Sequence, residues 1–479
     1  MTTDRYRSPL GTRYASPAMQ RLWGEAHRIG RWRRVWLALA EAERELGLDI
    51  PEAALAEMRA HLDDADLTAA AAYERRFRHD VMAHVHAYGD QAPAARPYLH
   101  LGATSAFVTD NADVLLMQDG LRLLLGRALA VQDALAGFAT RWRALPCLAW
   151  THFQPAQLTT VGKRATLWMQ DLALDVEALV HLLETLRLRG CKGTTGTQAS
   201  FLELFAGDHG RVRELERRVA EKLGLPRVFP VSGQTYSRKQ DSLVLDALSG
   251  LAQSTAKFGS DLRLLQHEGE LLEPFESEQI GSSAMAYKRN PMRAERICGL
   301  ARFVIGLQAN AAHTAANQWL ERTLDDSANR RVVLPEAFLT ADAILVLAAN
   351  VAAGLEVREP VIRGAVDAQM PFMATERWLM LGVQAGGDRQ ALHEVVRRHS
   401  LAVAEAVASG SRNDLMERLA TDPAFARLSA GALAAELEPA RYVGRSPEQV
   451  DEFLGEYWAP LRSRAQAHAA PAERTEVTV

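Results

Sequence analysis

The chain has 479 residues, of which 48% are hydrophobic and 24% charged, and its formal net charge is −4. This is the length and composition of a globular protein with two or three domains and a large core. The charge gives no reason to expect nucleic acid or an acidic membrane as a partner. The N-terminus has no apolar signal segment, and no apolar run reaches the ~18 residues that span a bilayer, so we expect a soluble cytoplasmic protein.

The numbers and positions of the cysteines and lysines limit which kinds of site the chain can contain. Cys147, Cys191 and Cys298 are far apart and form no CxxC pair, which argues against a disulfide framework or a zinc site and fits a reducing compartment. The chain has six lysines and 49 arginines. Because arginine is the default cation, a lysine in a polar stretch, such as Lys288, stands out as a compact charge whose pKa shifts readily.

The first hundred residues mix helices and loops. One helix is predicted over Trp32–Leu46, and a second, polar and aromatic, runs through Arg75–Tyr88. His100–Ser105 is predicted to be a loop with two adjacent hydroxyl groups. Thr109 or Asp110 would then cap the next helix.

Beyond this region the pattern changes to long amphipathic stripes. Apolar residues recur with spacings of three and four in five successive sets, which places each set on one face of a helix. Such helices pack nearly parallel in a bundle, and leftover apolar faces would pair with copies of the chain. The sets are Val114, Met117, Leu121, Leu124, Ala128, Val131, Leu135 and Phe138; Leu172, Val176, Leu179, Leu183 and Leu186; Val244, Leu248, Leu251, Thr255, Phe258, Leu262 and Leu265; Ile297, Leu300, Val304, Leu307 and Ala311; and Phe338, Ala341, Leu345, Ala348 and Ala352.

These patterns predict an all-α fold in three domains. The N-terminal helical domain covers residues 1–104, and the central long-helix bundle covers 105–357. A C-terminal helical domain covers 358–479, where shorter helices end in a frayed tail from about Gln466.

Polar residues concentrate at the ends of the long helices. In Gly281–Pro291, small residues indicate a mobile loop around Ser282 and Lys288. Asn290 and Pro291 are predicted to be the N-cap and first residue of a helix, whose N-terminus would favour an anion. The alternative is a polar surface loop ahead of a capped helix. The other clusters are Arg78–His86, Thr151–Lys163, Arg189–Gln198, Ser232–Lys239 and Glu321–Arg331.

Two histidines in these clusters are candidates for acid–base chemistry, because histidine titrates near neutrality. His152 lies in a proline-punctuated loop before a helix, where a histidine can also serve only to hydrogen-bond the loop. His79 stands between an arginine and an aspartate. His84 and His86 point to different helix faces, and no acidic ligand has a matching spacing, so a metal site is not favoured.

The last cluster offers Arg322, Ser327 and Arg331 as ligands for phosphate or carboxylate. The alternative is a solvated charge run that is paired internally by its two aspartates. The glycine-rich Arg189–Gln198 matches neither GxxxxGK[ST] nor GxGxxG, so we interpret it as a close-packed turn near a site.

Taken together, these motifs resemble the fumarase/aspartase superfamily. The stretch from Gly281 to Pro291 is similar to its signature loop, usually GSSxMPxKxN, and the wider set resembles the adenylosuccinate lyases within it. The resemblance covers nearly the whole chain in the family's order. The motifs are YRSPLGTRYAS, RHDVMAHVH, HLGATS, THFQPAQLTTVGKR, KGTTGTQASF, GQTYSRK, SSAMAYKRNPMR and ERTLDDSANRR.

The resemblance implies a homotetramer whose central domains form one helical bundle, with each active site built from loops of three subunits. It implies a cofactor-free β-elimination that releases fumarate from adenylosuccinate, giving AMP, and from the related succinyl-aminoimidazole-carboxamide ribotide, giving AICAR. The expected partners are the nucleotide substrate and copies of the chain, with no metal, nucleic acid or membrane.

Residue roles also follow from the resemblance. Ser282 matches the base that removes the succinyl Cβ proton, and Lys288 would stabilise its alkoxide once the loop closes. His152 matches the acid that protonates the leaving amine. His79 matches a second histidine, which orients that acid and the substrate phosphate. Substrate contacts are implied at Arg13, Tyr14, Arg78, Asp80, Thr104, Ser105, Gln234, Asn290, Arg296, Arg322, Ser327 and Arg331.

One position departs from the family pattern, since Ala286 stands where proline is usual. Alanine frees the backbone of the closing loop and raises the entropic cost of ordering it, so we expect weakened turnover. The departure leaves room for a relative that acts on another N-succinyl compound. A protein that kept the fold and lost the chemistry is a third alternative, and the joint presence of all four catalytic matches argues against it.

Overall fold

The computed structural model of the chain describes residues 4–472 and Val477. It starts with a π-helical turn at Leu10–Tyr14, and the predicted helix over Trp32–Leu46 is part of a longer helix, α2. The N-terminal helices are α1 (Pro17–Leu22), α2 (Glu25–Glu45), α3 (Glu52–Ala60), α4 (Leu67–Phe77) and α5 (Asp80–Gln91), followed by a 3-10 turn at Pro93–Ala95.

The prediction of one helix through Arg75–Tyr88 is wrong, because the chain breaks between α4 and α5. Arg78 ends α4 in a left-handed conformation with φ of 56°. His79 has extended backbone angles and is the N-cap of α5, where its Nδ1 accepts a hydrogen bond from Met82 N at 3.3 Å. Apolar spacing continues across the break, so periodicity alone could not reveal it.

Each of the five apolar stripes lies in a long helix, and most of the stripe residues are buried. The prediction of an all-α fold with a long-helix bundle is confirmed. The elements of this region are α6 (Ser105–Arg141), α7 (Val161–Thr185), the shorter α8 (Ala199–Leu204) and α9 (His209–Lys222), then α10 (Lys239–His267), α11 (Met292–Ala316) and α12 (Asp325–Ala353).

Two antiparallel two-stranded sheets interrupt the helices in the described part of the chain. Strand β1 (Pro146–Thr151) pairs with β2 (Gln154–Thr160) between α6 and α7. Strand β3 (Leu271–Leu272) pairs with β4 (Glu356–Val357), which joins the ends of α10 and α12. The segment predicted to be a loop around His152 is therefore the tip of a hairpin.

Helix α12 is long and apolar enough to cross a membrane by length and composition alone, with a mean hydropathy of 1.9 in its most apolar stretch. However, 72% of that stretch is buried inside the protein, as a core helix requires. The buried Asp342 of this helix is paired, since it accepts hydrogen bonds from Ser16 N at 2.7 Å and from Arg127 Nε at 3.2 Å. The prediction from sequence considered only uninterrupted apolar runs. It therefore missed this helix, whose apolar sequence is interrupted by polar residues such as Asp342.

The C-terminal helices are shorter and enclose a second hydrophobic core around Trp378. The indole Nε1 of Trp378 donates to Leu433 O at 2.9 Å. The helices are α13 (Glu359–Met373), α14 (Thr375–Gln384), α15 (Arg389–Ala408), α16 (Leu415–Thr421), α17 (Ala430–Ala434), α18 (Ser446–Glu452) and α19 (Ala459–Gln466), with 3-10 turns at Pro423–Phe425, Ala435–Leu437 and Pro439–Tyr442 and a π-helical turn at Phe453–Trp458.

The predicted domain boundaries lie close to element ends, since α6 begins at Ser105 and β4 ends at Val357. The boundaries themselves stay a prediction. The predicted frayed tail lies partly outside the described residues. Within them, Ala470 N donates to Arg122 O at 3.0 Å, so the chain contacts α6 beyond the last helix.

A buried carboxyl group on α2 makes stability depend on pH. Among residues 4–472, neither oxygen of Glu43 has a hydrogen-bond partner, and burial raises the pKa of Glu43 from 4.5 to about 9. Between these values the unfolded chain has released the proton and the folded chain keeps it, so stability falls as pH rises. Glu43→Gln removes this titration, and we expect its melting temperature to fall less steeply over that range. Glu74→Gln, an exposed site on α4, is the control; equal slopes in all three proteins would contradict the prediction.

Candidate active site

The first group of predicted site residues gathers where α5 and α6 begin. His79 Nε2 lies 3.4 Å from Ser105 Oγ, and Thr104 is the N-cap of α6. The predicted cap at Thr109 or Asp110 is wrong, because the buried apolar face of α6 already starts directly after Ser105. The two hydroxyl groups therefore stand at a helix N-terminus beside the imidazole.

An ion pair links this group to α12. Arg331 donates to Asp80 Oδ2. Burial alone would raise the pKa of Asp80, but the Val81 N–H and Arg331 outweigh it and lower that pKa. The ionised carboxylate therefore holds Arg331 near the imidazole, and the exposed Arg78 precedes it at the chain break.

A cleft of about 210 Å³ at this end of α12 is lined by the predicted residues Arg322, Ser327 and Arg331. Sequence reasoning missed Arg28 and Trp32, which line the same cleft from α2. The Arg28 guanidinium lies 5.6 Å from the centre of the Trp32 ring. Their spacing of four residues in a helix was the available signal for this cation–π pair.

Gln234 connects two loops beside this cleft. Its backbone N donates to Glu321 O at 2.9 Å, and its side-chain Nε2 donates to Thr194 O at 3.0 Å. A Cβ on Gly233 would lie 2.5 Å from Glu321 O, so only glycine allows this close approach. The glycine-rich turn over Arg189–Gln198 therefore contacts a predicted substrate-binding residue.

The second group includes the signature loop between α10 and α11. Ser282 Oγ accepts hydrogen bonds from Ala284 N at 3.4 Å and Met285 N at 3.2 Å. Two backbone N–H groups directed at one hydroxyl oxygen stabilise negative charge on that oxygen. The loop therefore provides a serine whose alkoxide is favoured by its own backbone.

Asn290 closes this loop and does not cap the next helix. Its Nδ2 donates to Gly281 O at 2.7 Å, and a Cβ on Gly281 would lie 2.0 Å from Lys288 O. The predicted helix start is wrong by one residue, because the Asn290 side chain is used across the loop. Helix α11 begins at Met292, with Pro291 as its N-cap.

The N-terminus of α11 is occupied by an anion of the chain itself. Glu273 accepts hydrogen bonds from Arg293 N at 3.0 Å and Ala294 N at 2.9 Å. Burial raises the pKa of Glu273, although these two donors oppose the rise. The prediction that this helix end binds a ligand anion is therefore wrong, since its N–H groups are satisfied internally.

Ion pairs hold the two ends of the signature loop. Arg289 pairs with Glu356 at 2.7 Å, and Arg293 pairs with Glu276 at 2.5 Å. Lys288, by contrast, is exposed and lines an open cleft of about 560 Å³. These ion pairs restrain both ends of the loop, and Ser282 and Lys288 lie between them.

His152 lies at the tip of the β1–β2 hairpin. His152 and Phe153 have left-handed φ angles of 53° and 56° and form a two-residue turn closed by the Thr151–Gln154 pair. Such turns favour Asn and Gly, so two larger side chains here store backbone strain. Within residues 4–472 the exposed His152 side chain makes no hydrogen bond or ion pair, and its imidazole is accessible for proton transfer.

Three further predicted residues meet near the start of α11. The Arg296 guanidinium lies 5.4 Å from the centre of the Tyr14 ring. Burial lowers the pKa of Arg296, and the neighbouring Arg13 charge lowers it further. The N-terminal turn and α11 therefore bring two arginines and a tyrosine together.

The other histidines of the Arg78–His86 cluster have separate surroundings. His84 packs against Trp32 with ring centres 5.4 Å apart, and burial lowers the pKa of His84 to about 4. His86 stacks on Tyr73 at 5.2 Å. Among the described residues, no group of three or more His, Cys, Asp or Glu is arranged to hold a metal ion.

The helix directions place the two groups at opposite ends of the bundle. Helix α10 begins beside the start of α6, where Arg238 pairs with Asp110 at 3.0 Å, and runs 29 residues to the signature loop. At its far end, Leu264 lies in the clefts that contain Phe153 and Lys288. The first group is Arg78, His79, Asp80, Thr104, Ser105, Gln234, Arg322, Ser327 and Arg331, and the second is Arg13, Tyr14, His152, Ser282, Lys288, Asn290 and Arg296.

The length of α6 sets a minimum for this separation. Its 37 residues correspond to about 55 Å at 1.5 Å per residue. His79 touches its first residue, and His152 follows Arg141, its last, by 11 positions. Those positions span about 40 Å at most when fully extended. Helix α10 gives a larger separation, because Leu264, beside Phe153, lies 26 residues beyond Arg238, about 39 Å along the helix. The two histidines of one chain are therefore too far apart to act on the same bond.

The chain matches two protein-family models, "Lyase" over residues 17–306 and "Adenylosuccinate lyase C-terminus" over residues 371–453. It is 49% identical over 455 residues to the adenylosuccinate lyase of Saccharomyces cerevisiae, with 94% of each chain covered. It is 48% identical over 453 residues to that of Schizosaccharomyces pombe, again with 94% of each covered. The adenylosuccinate lyase of Pyrococcus horikoshii is 31% identical, with 95% of this chain and 99% of that one covered.

Solved structures with the same architecture include enzymes with other names. A 3-carboxy-cis,cis-muconate lactonizing enzyme from Pseudomonas putida superposes with a TM-score of 0.81 at 26% identity, covering 96% of this chain and 99% of that one. A fumarate lyase from Mesorhizobium sp. superposes with a TM-score of 0.79 at 26% identity, covering 93% and 99%. The fold thus carries more than one reaction, and the choice among them depends on the residues of the site.

Proposed function

The chain belongs to the adenylosuccinate lyase family, and we propose that it releases fumarate by β-elimination from adenylosuccinate, giving AMP, and from succinyl-aminoimidazole-carboxamide ribotide, giving AICAR. Full-length similarity to the two yeast enzymes supports the first substrate. Both substrates carry an N-succinyl group and a phosphate, so both require the same bond cleavage and the same anion binding. The observation that carries the mechanism is the Ser282 hydroxyl with two backbone N–H groups directed at it.

Elimination requires a base at the succinyl carbon next to the one that bears the leaving nitrogen. We assign this step to Ser282. Serine is a poor base unless its alkoxide is stabilised, and the loop supplies the N–H groups of Ala284 and Met285. Lys288, in the same loop, adds a positive charge once the loop closes and water leaves.

Departure of the nitrogen requires an acid. The imidazolium of His152, at an exposed hairpin tip, donates a proton to the nitrogen as the C–N bond breaks and the double bond of fumarate forms. The proton removed from carbon remains on Ser282, so each of the two groups handles one proton. A substrate with one phosphate and two carboxylates is held by arginines of both groups, including Arg296 and Arg331.

We propose further that the chain assembles into a homotetramer. In this assembly each active site combines the first group of one chain with second-group residues of its partners. The separation of His79 and His152 within one chain supports this arrangement. Large apolar side chains also remain exposed on the long helices, among them Leu174 on α7, Phe303 on α11 and Val332 on α12. Exposed faces of this kind are covered in oligomers.

The cellular setting is part of the same proposal. We place the enzyme in the cytoplasm, in purine nucleotide biosynthesis. All three cysteines are unpaired, which fits a reducing compartment. A second candidate function, the same elimination from another N-succinyl compound, is favoured only by Ala286 in the signature loop.

The test is the ultraviolet absorbance of purified protein mixed with adenylosuccinate, with fumarate measured separately. Conversion to AMP with equal release of fumarate supports the proposed function. A folded oligomer that converts none of it contradicts the proposal. A set of other N-succinyl compounds, assayed for fumarate, then tests the second candidate.

Ala286→Pro is expected to raise kcat severalfold. Ala286 follows Met285, whose carbonyl accepts from Lys288 N at 3.0 Å, so Ala286 is the second residue of a β-turn, where proline is preferred. Proline there removes conformations of the open loop at a gain of about 0.4–1 kcal/mol. Ala284→Pro is the matched control and should lower kcat, because it deletes a donor to Ser282. Unchanged kcat and unchanged loop mobility in Ala286→Pro would contradict the prediction.

A further inference from the structure

A set of mostly buried ion pairs lies beneath the arginines proposed to bind the substrate anions. Its members come from α6, from the segment around the start of α10, and from α12. Charges buried in this way are screened little by water and salt, so they fix the elements that carry them. We call this set the buried ion network; its members are Asp110, Asp113, Tyr236, Arg238, Asp241, Asp326 and Arg330.

Arg238 connects the start of α12 to α6. It is 3% exposed, and its two Nη atoms donate to the Asp110 carboxylate at 3.0 and 3.1 Å. Its Nε donates to Asp326 Oδ2 at 2.7 Å. The guanidinium is thus engaged along both edges, and one oxygen of Asp326 is fixed relative to the bundle.

The other oxygen of Asp326 holds a residue of the cleft. Asp326 is 1% exposed, and its Oδ1 accepts from Arg322 Nη1 at 2.8 Å. Arg322 has a side chain that is 24% exposed and lines the cleft. Within residues 4–472 its guanidinium makes no other hydrogen bond or ion pair.

The neighbouring carboxylate, that of Asp325, lies outside the buried ion network. Asp325 is exposed, and it accepts from Thr323 Oγ1 at 2.9 Å. The alternative of a solvated charge run therefore fits Asp325 but not Asp326. The network also contains four aspartates and two arginines, and this surplus of negative charge attracts the Arg322 guanidinium.

We propose that Asp326 is a positioning residue for substrate binding. It holds one N–H of Arg322, so that the remaining donors of the guanidinium form a fork for phosphate or carboxylate oxygens in the cleft. Arg238 in turn holds Asp326. The inference rests on the proposed function and deepens it, because it names the group that orients one of the anion-binding arginines.

The test is Asp326→Asn in the assembled enzyme, with adenylosuccinate as substrate. The amide keeps the shape of the carboxylate, removes its charge and places a donor against a guanidinium. We expect KM to rise about tenfold or more, with kcat changed less than about threefold, since loss of a charged hydrogen bond has this scale. Asp325→Asn is the matched control, with KM expected within about twofold of wild type.

A double-mutant cycle separates positioning from a general structural effect. If Asp326 acts through Arg322, Asp326→Asn should change KM by less than about twofold in an Arg322→Ala background. An equal rise in both backgrounds, or an unchanged KM in the single variant, overturns the proposal. If Asp326→Asn fails to assemble, Arg322→Lys replaces it: the network stays intact, and an unchanged KM overturns the proposal. Absence of fumarate release by the wild-type enzyme overturns both the proposed function and this inference.

Discussion

Replacing Ser282 with alanine is expected to lower kcat by about a thousandfold or more, because a positioned base contributes on this scale. The hydroxyl receives the N–H groups of Ala284 and Met285 in an exposed loop, so its removal disturbs no core packing. The oligomer should therefore keep its mass and melting temperature. Initial rates of fumarate release measure the loss.

Ser283→Ala is the matched control. Ser283 is the adjacent, exposed hydroxyl, and within residues 4–472 its side chain makes no hydrogen bond. It should retain kcat within about threefold, as exposed substitutions do. His152→Ala should lose activity on the same scale as Ser282→Ala, because the leaving nitrogen would lack its acid. Substantial turnover in Ser282→Ala would remove the serine from the role of base.

Two inactive variants are expected to restore activity to each other. His79→Ala damages the first group and Ser282→Ala damages the second, and these groups lie at opposite ends of the bundle. In tetramers assembled at random from equal amounts of the two chains, about one site in four combines an intact first group with an intact second group. Co-expressed mixtures should therefore recover about a quarter of wild-type activity.

The control for this experiment pairs two variants within one group, His79→Ala and Arg331→Ala. An active site needs a fully intact first group, and neither chain supplies one, so mixing should restore nothing. Recovery by this pair, or no recovery by the first pair after exchange of subunits has been verified by mass, would contradict the shared site.

Most of the fold was predictable because long helices repeat their pattern many times. The stripe from Val114 to Phe138 covers several turns and lies within α6. The break at Arg78 was not predictable from spacing, since a single left-handed residue leaves the apolar periodicity intact. The hairpin at His152 was missed because its turn lacks the usual Asn and Gly.

The site was predictable as a set of residues but not as an arrangement. Polar stretches at helix ends pointed to His79, Ser282 and Arg331, yet no local signal shows which oxygen pairs with which donor. Adjacent aspartates illustrate the limit: Asp325 is exposed and Asp326 is buried, a difference that depends on Arg238 arriving from a distant segment. Similarly, Glu273 binds the N-terminus of α11, where the local sequence predicted a ligand anion.

The separation of the two groups along α6 has a consequence for how activity depends on protein amount. A single chain contains both groups but cannot bring them to one bond. If the proposed assembly completes each active site, we expect dilution below its dissociation constant to lower specific activity, which should rise again with concentration. In a cell with two different defective copies of the gene, lesions at opposite ends would compensate for each other, whereas lesions at the same end would not.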